Sequence, residues 1–355
     1  MFSSVTIEHL VALENKNKMT IIDVRSPSEY ANSTIPGSIN IPIFDDKERA
    51  EIGTLYKQVS SDVAQERGLE IVSAKLPAFV KQFKEIEGEK TVFCWRGGMR
   101  SKTTATVLDL MNIHVNRLDG GVRAYRKWVV DRLTNLNFTP KVYVLNGYTG
   151  TGKTLILRRL EEEGYPVLDL EKMANHRGSI FGQIGLEPHN QKTFDSLLVE
   201  QLQQLQHSPY VLFEGESKRI GKVVLPPLFN ELKEEGFQLI IQMPIEERTR
   251  HILEDYCPWD HHEACMEAFR KIKLRIHTPI AAQIEESLRS KEYALAVNLL
   301  LEHYYDPRYE HTAEKYLENQ KMNLQVENVE EAIQAIKEVI SQSPENVNNL
   351  RKIRS

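Results

Sequence analysis

The stretch Thr91-Val92-Phe93-Cys94-Trp95-Arg96-Gly97-Gly98-Met99-Arg100-Ser101 decides how the first part of this chain is read. Thr91–Phe93 predicts a short buried strand. Ser101–Met111 predicts a helix with Ala105, Leu108 and Met111 on one face. A cysteine therefore stands at a strand-to-helix turn, followed by two glycines and two arginines. The glycines let the backbone curl and turn its N–H groups inward. The helix N-terminus, Arg96 and Arg100 add positive potential, the setting that favours a thiolate over a thiol. The same loop is a cradle for an anion of phosphate size. A lone cysteine is usually an inert small apolar residue. The Gly-Gly pair and the flanking arginines instead mark Cys94, Arg96 and Arg100 as candidate catalytic residues.

Strands and helices alternate on either side of this loop. Thr20–Val24 predicts a strand, and Ser26 or Ser28 can start a short helix after it. Ile35–Pro42 predicts a turn and a second short strand. Residues 45–68 are charged and predict an inserted helical segment. Ala74–Ile86 is amphipathic, with Leu76, Phe79, Val80 and Phe83 at helical spacing. Val115–Leu118 predicts a strand, Asp119-Gly120-Gly121 a turn, and Val122–Leu133 a closing helix. Such alternation implies a mostly parallel α/β sheet, with Cys94 at the carboxyl end of a central strand. Asp23 is expected to order its turn, and Arg25 to pair with Glu29. These elements make up a first domain over residues 1–135.

The chain has 355 residues, 41% hydrophobic and 27% charged, which suits two ordinary globular domains. A net charge of −5 excludes a bulk polycation, so any nucleic-acid surface must be local. Three cysteines argue against a disulfide framework and for a reducing compartment. The opening MFSSVTIEHLVALEN does not read as a signal peptide, and no apolar run approaches the ~20 residues that span a bilayer. The expectation is a cytoplasmic protein without membrane contact.

After the polar linker Thr134–Pro140, a second domain is expected over residues 140–340. Lys141–Leu145 predicts a strand, running into Gly147-Tyr148-Thr149-Gly150-Thr151-Gly152-Lys153-Thr154 and a helix to about Glu163. This is G-x-x-x-x-G-K-T between strand and helix, a phosphate-binding loop. Gly147, Gly150, Thr151 and Gly152 supply the cradle, Lys153 a point charge, and Thr154 a ligand for Mg²⁺. Val167–Leu170 predicts a strand that runs into a polar segment. Asp169, Glu171, His176 and Arg177 there are rim candidates, as is Glu216. Phe194–Leu205 predicts a helix. Tyr210–Phe213 predicts a strand closed by Glu214, an acid placed to hold Mg²⁺ beside the loop. A further strand is expected at Phe237–Met243. From Pro244 the chain is expected to be helical. Arg248, Arg250 and the run 270–275 carry a local positive excess that reads as a phosphate- or RNA-facing surface or as a solvated helix face. Cys257, His261, His262 and Cys265 do not have standard zinc spacing. A turn is expected at Asp306-Pro307, a final helix at Val329–Ile340, and a flexible tail over 341–355.

Four segments in order, DVRSPSEY (23–30), IPGSINIP (35–42), the Cys94 loop and LDGGVRAYRKW (118–128), resemble a rhodanese domain. That resemblance implies a sulfur or selenium atom carried on Cys94. Five residues separate Cys94 from Arg100, against four in the common rhodanese loop, a spacing that resembles rhodanese-fold phosphatases. A rhodanese-like domain joined to a P-loop domain, with LEKMANHRGSIFG (170–182), FEGESKRIG (213–221) and YYDPRY (304–309), resembles the tRNA 2-selenouridine synthase family over essentially the whole chain. The resemblance implies a rhodanese-like α/β domain followed by a P-loop NTPase-like α/β domain with a helical C-terminal part. It implies a transferase acting on tRNA with 2-thiouridine at the wobble position. The substrates it implies are selenophosphate as selenium donor and geranyl diphosphate as alkylating agent. Other readings are an ATP-dependent kinase-like enzyme, or a sulfurtransferase or phosphatase working through Cys94.

Overall fold

The computed structural model describes residues 2–14, 19–215, 217–308 and 316–342. They form two compact units: Met1–Asn135 with Asp195–Val199, and Leu136–Phe194 with Glu200–Ser355. Both are mixed α/β, each around a five-stranded parallel sheet.

In the first unit the strands are β1 (Ser3–Val5), β2 (Met19–Asp23), β3 (Ile39–Asn40), β4 (Glu89–Phe93) and β5 (Asn116–Leu118). Its helices are α1 (Ile7–Glu14), α2 (Pro27–Asn32), α3 (Asp46–Gln58), α4 (Ser61–Lys84), α5 (Met99–Leu110) and α6 (Gly121–Thr134). The sheet order is β1-β5-β4-β2-β3, so β4 lies in the middle and releases Cys94 at its carboxyl end. Side chains alternate across the sheet. Val92 and Cys94 join Ile22, Phe79, Phe83, Ala105 and Leu108 on one face. Phe93 joins Leu10, Ile21, Leu118 and Val122 on the other.

Several expectations change here. The charged segment from Asp45 is two helices, and the second runs on through the amphipathic stretch as one helix of 24 residues with Pro77 inside it. Asp45 caps α3 by accepting from the Glu48 amide, and Ser60 caps α4 by accepting from the Val63 amide. Helix α5 starts at Met99 and stops at Leu110, leaving Met111 half exposed beyond the last turn and off the core face. Arg25 pairs with Asp23, not Glu29. The two lie two residues apart on extended chain and so point the same way. Both are buried, the guanidinium meets the carboxylate at 2.6 Å, and the Thr34 hydroxyl donates to the same carboxylate at 2.9 Å.

The second unit has β6 (Lys141–Gly147), β7 (Val167–Leu168), β8 (Tyr210–Glu214), β9 (Arg219–Ile220), β10 (Val223–Val224), β11 (Phe237–Gln242) and β12 (Lys321–Gln325). Its helices are α7 (Lys153–Glu162), α8 (Leu170–Ala174), α9 (Gln191–Leu205), α10 (Leu228–Glu235), α11 (Ile245–Tyr256), α12 (His262–Ile272), α13 (Thr278–Arg289), α14 (Tyr293–Leu300) and α15 (Val329–Ser341). Helix α9 contributes Asp195–Val199 to the first unit. The parallel order β12-β11-β6-β8-β7 puts β6 in the middle, and the glycine-rich loop leaves its carboxyl end. Helices α12 to α14 bury Phe269, Ile284, Leu288, Ala296 and Leu300 in a separate core. The chain does not turn at Asp306-Pro307. A π-helix over Leu301–Tyr305 continues α14, and residues 306–308 stay helical. Ser341 closes α15, and the rest of the expected tail from 343 lies outside the described residues. Among the described residues no helix is long and apolar enough to cross a membrane.

Asp23→Ala leaves the Arg25 guanidinium buried and uncompensated, so it is expected to cost about 3–5 kcal/mol. Urea unfolding followed by tryptophan fluorescence measures this. Removing the exposed Arg67, paired with Glu51 at 2.6 Å, is expected to leave the midpoint unchanged.

Candidate functional site

The Cys94 loop is built from outside by the turn between β5 and α6. The Val122 amide donates to the Cys94 carbonyl and the Arg123 amide to the Trp95 carbonyl, both at 3.0 Å. The Arg117 guanidinium donates to the Gly97 carbonyl, and also to Ser4 Oγ at 3.0 Å and Asp119 at 2.7 Å. No peptide bond in the described chain is cis. In a trans peptide the next N–H points opposite to the carbonyl. Tying three carbonyls to the turn therefore aims the amides of Trp95, Arg96 and Gly98 the other way, which makes the cradle. Close approach demands glycine at Gly121, where φ is +56° and a Cβ would stand 2.0 Å from the Cys94 carbonyl oxygen. Gly97, at φ +65°, would bring a Cβ to 2.9 Å from the Leu118 carbonyl.

Within this loop Cys94 is 3% exposed, and its sulfur lies 3.2 Å from the Ser101 hydroxyl. Arg96 and Trp95 are exposed. Arg100 is turned to Glu29, with two hydrogen bonds, one of them at 3.1 Å. Burial alone would raise the Glu29 pKa, but the hydrogen bond and charge of Arg100, with Arg49 beside it, outweigh that and hold it below the usual carboxylate range.

The second loop is also held by its carbonyls. Helix α11 lays Arg248 and His251, one turn apart, against it. Arg248 Nε donates to the Thr149 carbonyl at 2.9 Å, and His251 Nδ1 meets the Gly150 carbonyl at 3.0 Å. The Arg248 guanidinium also clasps both oxygens of Asp306, at 2.9 and 2.6 Å, and lies 5.1 Å from the Tyr148 ring centre. Gly150 (φ +86°) has no room for a Cβ, which would fall 2.8 Å from the Arg248 carbonyl. Gly147 and Gly152 also take positive φ, and the Thr151 hydroxyl closes the loop on the Tyr148 carbonyl at 3.0 Å. Lys153 folds back on the Gly147 and Tyr148 carbonyls at 3.2 and 3.3 Å. Thr154 Oγ1 lies 2.8 Å from Glu171 and 3.1 Å from Glu214, two carboxylates that are almost fully buried.

The other rim residues serve the scaffold. Asp169 caps α8 by accepting from the Lys172 amide at 2.8 Å and pairs with Arg158 at 3.2 Å. Arg177 donates to the Ile184 and Asp255 carbonyls at 2.8 Å and stacks on Tyr256. His176 Nδ1 accepts from the Gly178 amide at 3.1 Å. Burial, then the charge of Arg177, keeps its pKa below the ordinary histidine value. Glu216 lies outside the described residues.

Part of the basic helical excess is absorbed locally. Arg248 is buried at the phosphate loop, while Arg250 pairs with Glu247 and Glu254 and Lys273 with Glu285. Cys257 Sγ meets the Glu254 carbonyl, His262 the Tyr293 hydroxyl, and Cys265 sits in an apolar cluster. Among the described residues no three His, Cys, Asp or Glu are grouped to hold a metal. Sequence reading missed Arg117, His251 and Asp306, and the role of Arg248. The available signal was the Arg-x-x-His spacing on α11.

Gly121→Ala is expected to destabilise by about 2–4 kcal/mol and Gly98→Ala, with nothing near its Cβ, by much less; thermal unfolding compares them. The lowered Glu29 pKa stabilises the fold at neutral pH, and that contribution is lost as pH falls through it. Glu29→Gln should flatten the acid limb of a plot of Tm against pH.

Comparison with known proteins matches both units. Residues 140–278 match the family model for the tRNA 2-selenouridine synthase AAA domain, and residues 6–127 the model for the rhodanese-like domain. Curated relatives named tRNA 2-selenouridine synthase include one from Shewanella frigidimarina, 30% identical over 85% of this chain and 90% of that protein. Another, from Hydrogenovibrio crunogenus, is 32% identical over 83% of this chain and 89% of its own length. A third, from Sulfurovum sp., is 29% identical over 84% and 90%. With a rhodanese-like unit, a P-loop unit and similarity along most of its length, the chain belongs to the tRNA 2-selenouridine synthase family.

Proposed function

We propose that this chain replaces the sulfur of 2-thiouridine at the tRNA wobble position with selenium from selenophosphate, through an S-geranylated intermediate made from geranyl diphosphate. The observation that carries this reading is two anion cradles of different chemistry in one chain of this family. One surrounds a cysteine, and the other a lysine beside two buried carboxylates. We place the reaction in the cytoplasm.

The first half-reaction belongs to the Gly147–Thr154 loop. The thione sulfur forms a bond to C1 of the geranyl chain, the C1–O bond breaks, and diphosphate leaves with the electron pair. The base then releases its N3 proton. Loop amides and Lys153, turning from the loop carbonyls, stabilise the departing charge. The residues suit Mg²⁺. The Thr154 hydroxyl has a single proton yet faces both Glu171 and Glu214, a hard oxygen set that favours a divalent cation. Thr154 and Glu214 would hold it, with Glu171 beside them. Once bound, it neutralises diphosphate charge.

The second half-reaction belongs to the first unit. A thione sulfur is a poor leaving group, and alkylation turns it into a thioether that a selenium nucleophile displaces. Selenium in selenophosphate is already at the selenide level, so the exchange is redox-neutral. The C2–Se bond forms, the C2–S bond breaks, geranylthiol leaves, and water takes the phosphoryl group. We assign Cys94 to relay the selenium as selenide: its thiol hydrogen-bonds the selenium freed from the phosphoryl group and hands it to C2 with no S–Se bond formed, so no oxidant is needed. Arg96 and Arg100 take the phosphate end, with Arg100 exchanging Glu29 for the phosphate.

Mass spectrometry of wobble nucleosides tests both halves. Lys153→Ala should lower geranyl transfer roughly 10²–10³-fold while pre-geranylated tRNA is still selenated. Cys94→Ala should do the reverse. Geranylation at wild-type rate by the first variant overturns the loop assignment, and normal selenation by the second overturns the Cys94 assignment.

A further inference from the structure

An apolar cleft opens beside the phosphate loop, entirely within the second unit. Thr149 of the loop forms part of its wall, and it holds about 600 Å³ of space not filled by atoms, part of it open to solvent. Helices α11, α13 and α14 and the π-helical turn supply most of the rest. Ala296 and Leu301 line it while being 0% and 1% exposed, so they form its floor. Thr149, Ile252 and Tyr305 are half-buried and form its rim. Cys265 contributes a small apolar surface, because burial pushes its thiol up to about 11 and keeps it uncharged at neutral pH.

The cleft gives a polar ligand little to read. The Ser179 and Tyr256 hydroxyls are bonded to each other at 3.1 Å, and the Tyr293 hydroxyl to His262 Nδ1 at 3.0 Å. A purine ring would bury nitrogens and an amino group against hydroxyls already paired, and each unpaired polar group carries its full desolvation cost. A hydrocarbon chain brings no such groups and gains from every carbon removed from water.

We infer that this cleft holds the hydrocarbon chain of a prenyl diphosphate whose head lies on the Gly147–Thr154 loop, and that Ala296 and Leu301 set the chain length accepted. The inference rests on the reading of that loop as a diphosphate site, and Thr149, shared by loop and cleft, makes the two continuous. Chain length is set at the floor because the first side chains reached from the rim are half-buried and leave the cleft open, whereas the fully buried pair ends it.

Titration calorimetry on the full chain with Mg²⁺ compares inorganic diphosphate, geranyl diphosphate, farnesyl diphosphate and ATP. Geranyl diphosphate is expected to bind on the order of a hundredfold tighter than inorganic diphosphate. Ala296→Phe raises the floor and should remove about tenfold or more of that gain, with inorganic diphosphate still bound within about twofold of wild type. Leu301→Ala lowers the floor and should shift preference toward farnesyl diphosphate. A variant that has merely lost its fold loses inorganic diphosphate as well, and the other variant then decides. If geranyl diphosphate binds no tighter than inorganic diphosphate, or if folded variants keep the wild-type preference, the cleft assignment is overturned and the loop reading survives. If wild type binds ATP but neither diphosphate, the loop reading falls and takes this inference with it.

Discussion

The geometry of the second unit hangs on one buried cation. Arg248 is 4% exposed and reaches the Thr149 carbonyl, both Asp306 oxygens and the Tyr148 ring. A guanidinium in that position is tolerable only with every partner present. It therefore fixes three pieces of chain at once: the phosphate loop, α11 and the helical segment around Asp306. The loop needs such help, since Gly147, Gly150 and Gly152 all have positive φ and glycine prefers no single conformation. Because the Thr149 carbonyl is taken by Arg248, the Gly150 amide points away from it. A cation on the outside of the loop thus helps present donors on the inside.

The first unit solves the same problem with backbone. Three carbonyls of the Cys94 loop are captured by the Arg117–Arg123 segment, two by amides and one by a guanidinium. The result is again a row of amides facing one way. The two loops differ in what they surround. Cys94 is packed against Ser101 on the core face of its sheet, while Thr154 is packed between two carboxylates. A soft sulfur atom and a hard oxygen set are thus held on separate sheets of one chain.

The parts of this architecture written in short spacings were legible in the sequence. β4 and β6, each followed by a glycine-rich loop and a helix, carry their periodicity and punctuation within about a dozen residues. Edge strands β1 and β12 were not legible, because each buries a single side chain, Val5 and Leu324, and shows no apolar alternation. Arg248 was read with a charged helix face because its partners lie 99 and 58 positions away. Arg25 was given a helical partner although its own segment is extended, where the near neighbour is two residues off. The cleft lining is chemically the same as core, and only the fold separates a filled apolar face from an open one.

The π-helical turn over Leu301–Tyr305 carries one residue more than the α-helical turn it replaces. In the language of insertion and deletion, it is equivalent to one residue added to a regular helix, with the residues downstream of it shifted in phase. Losing one residue there would restore a regular helix and rotate everything beyond it by about 100°. Leu301 and Asp306 would then fall out of phase, and no helix could serve the cleft floor and the Arg248 clasp together. The length of this segment is therefore as constrained as the side chains of Leu301 and Asp306 themselves.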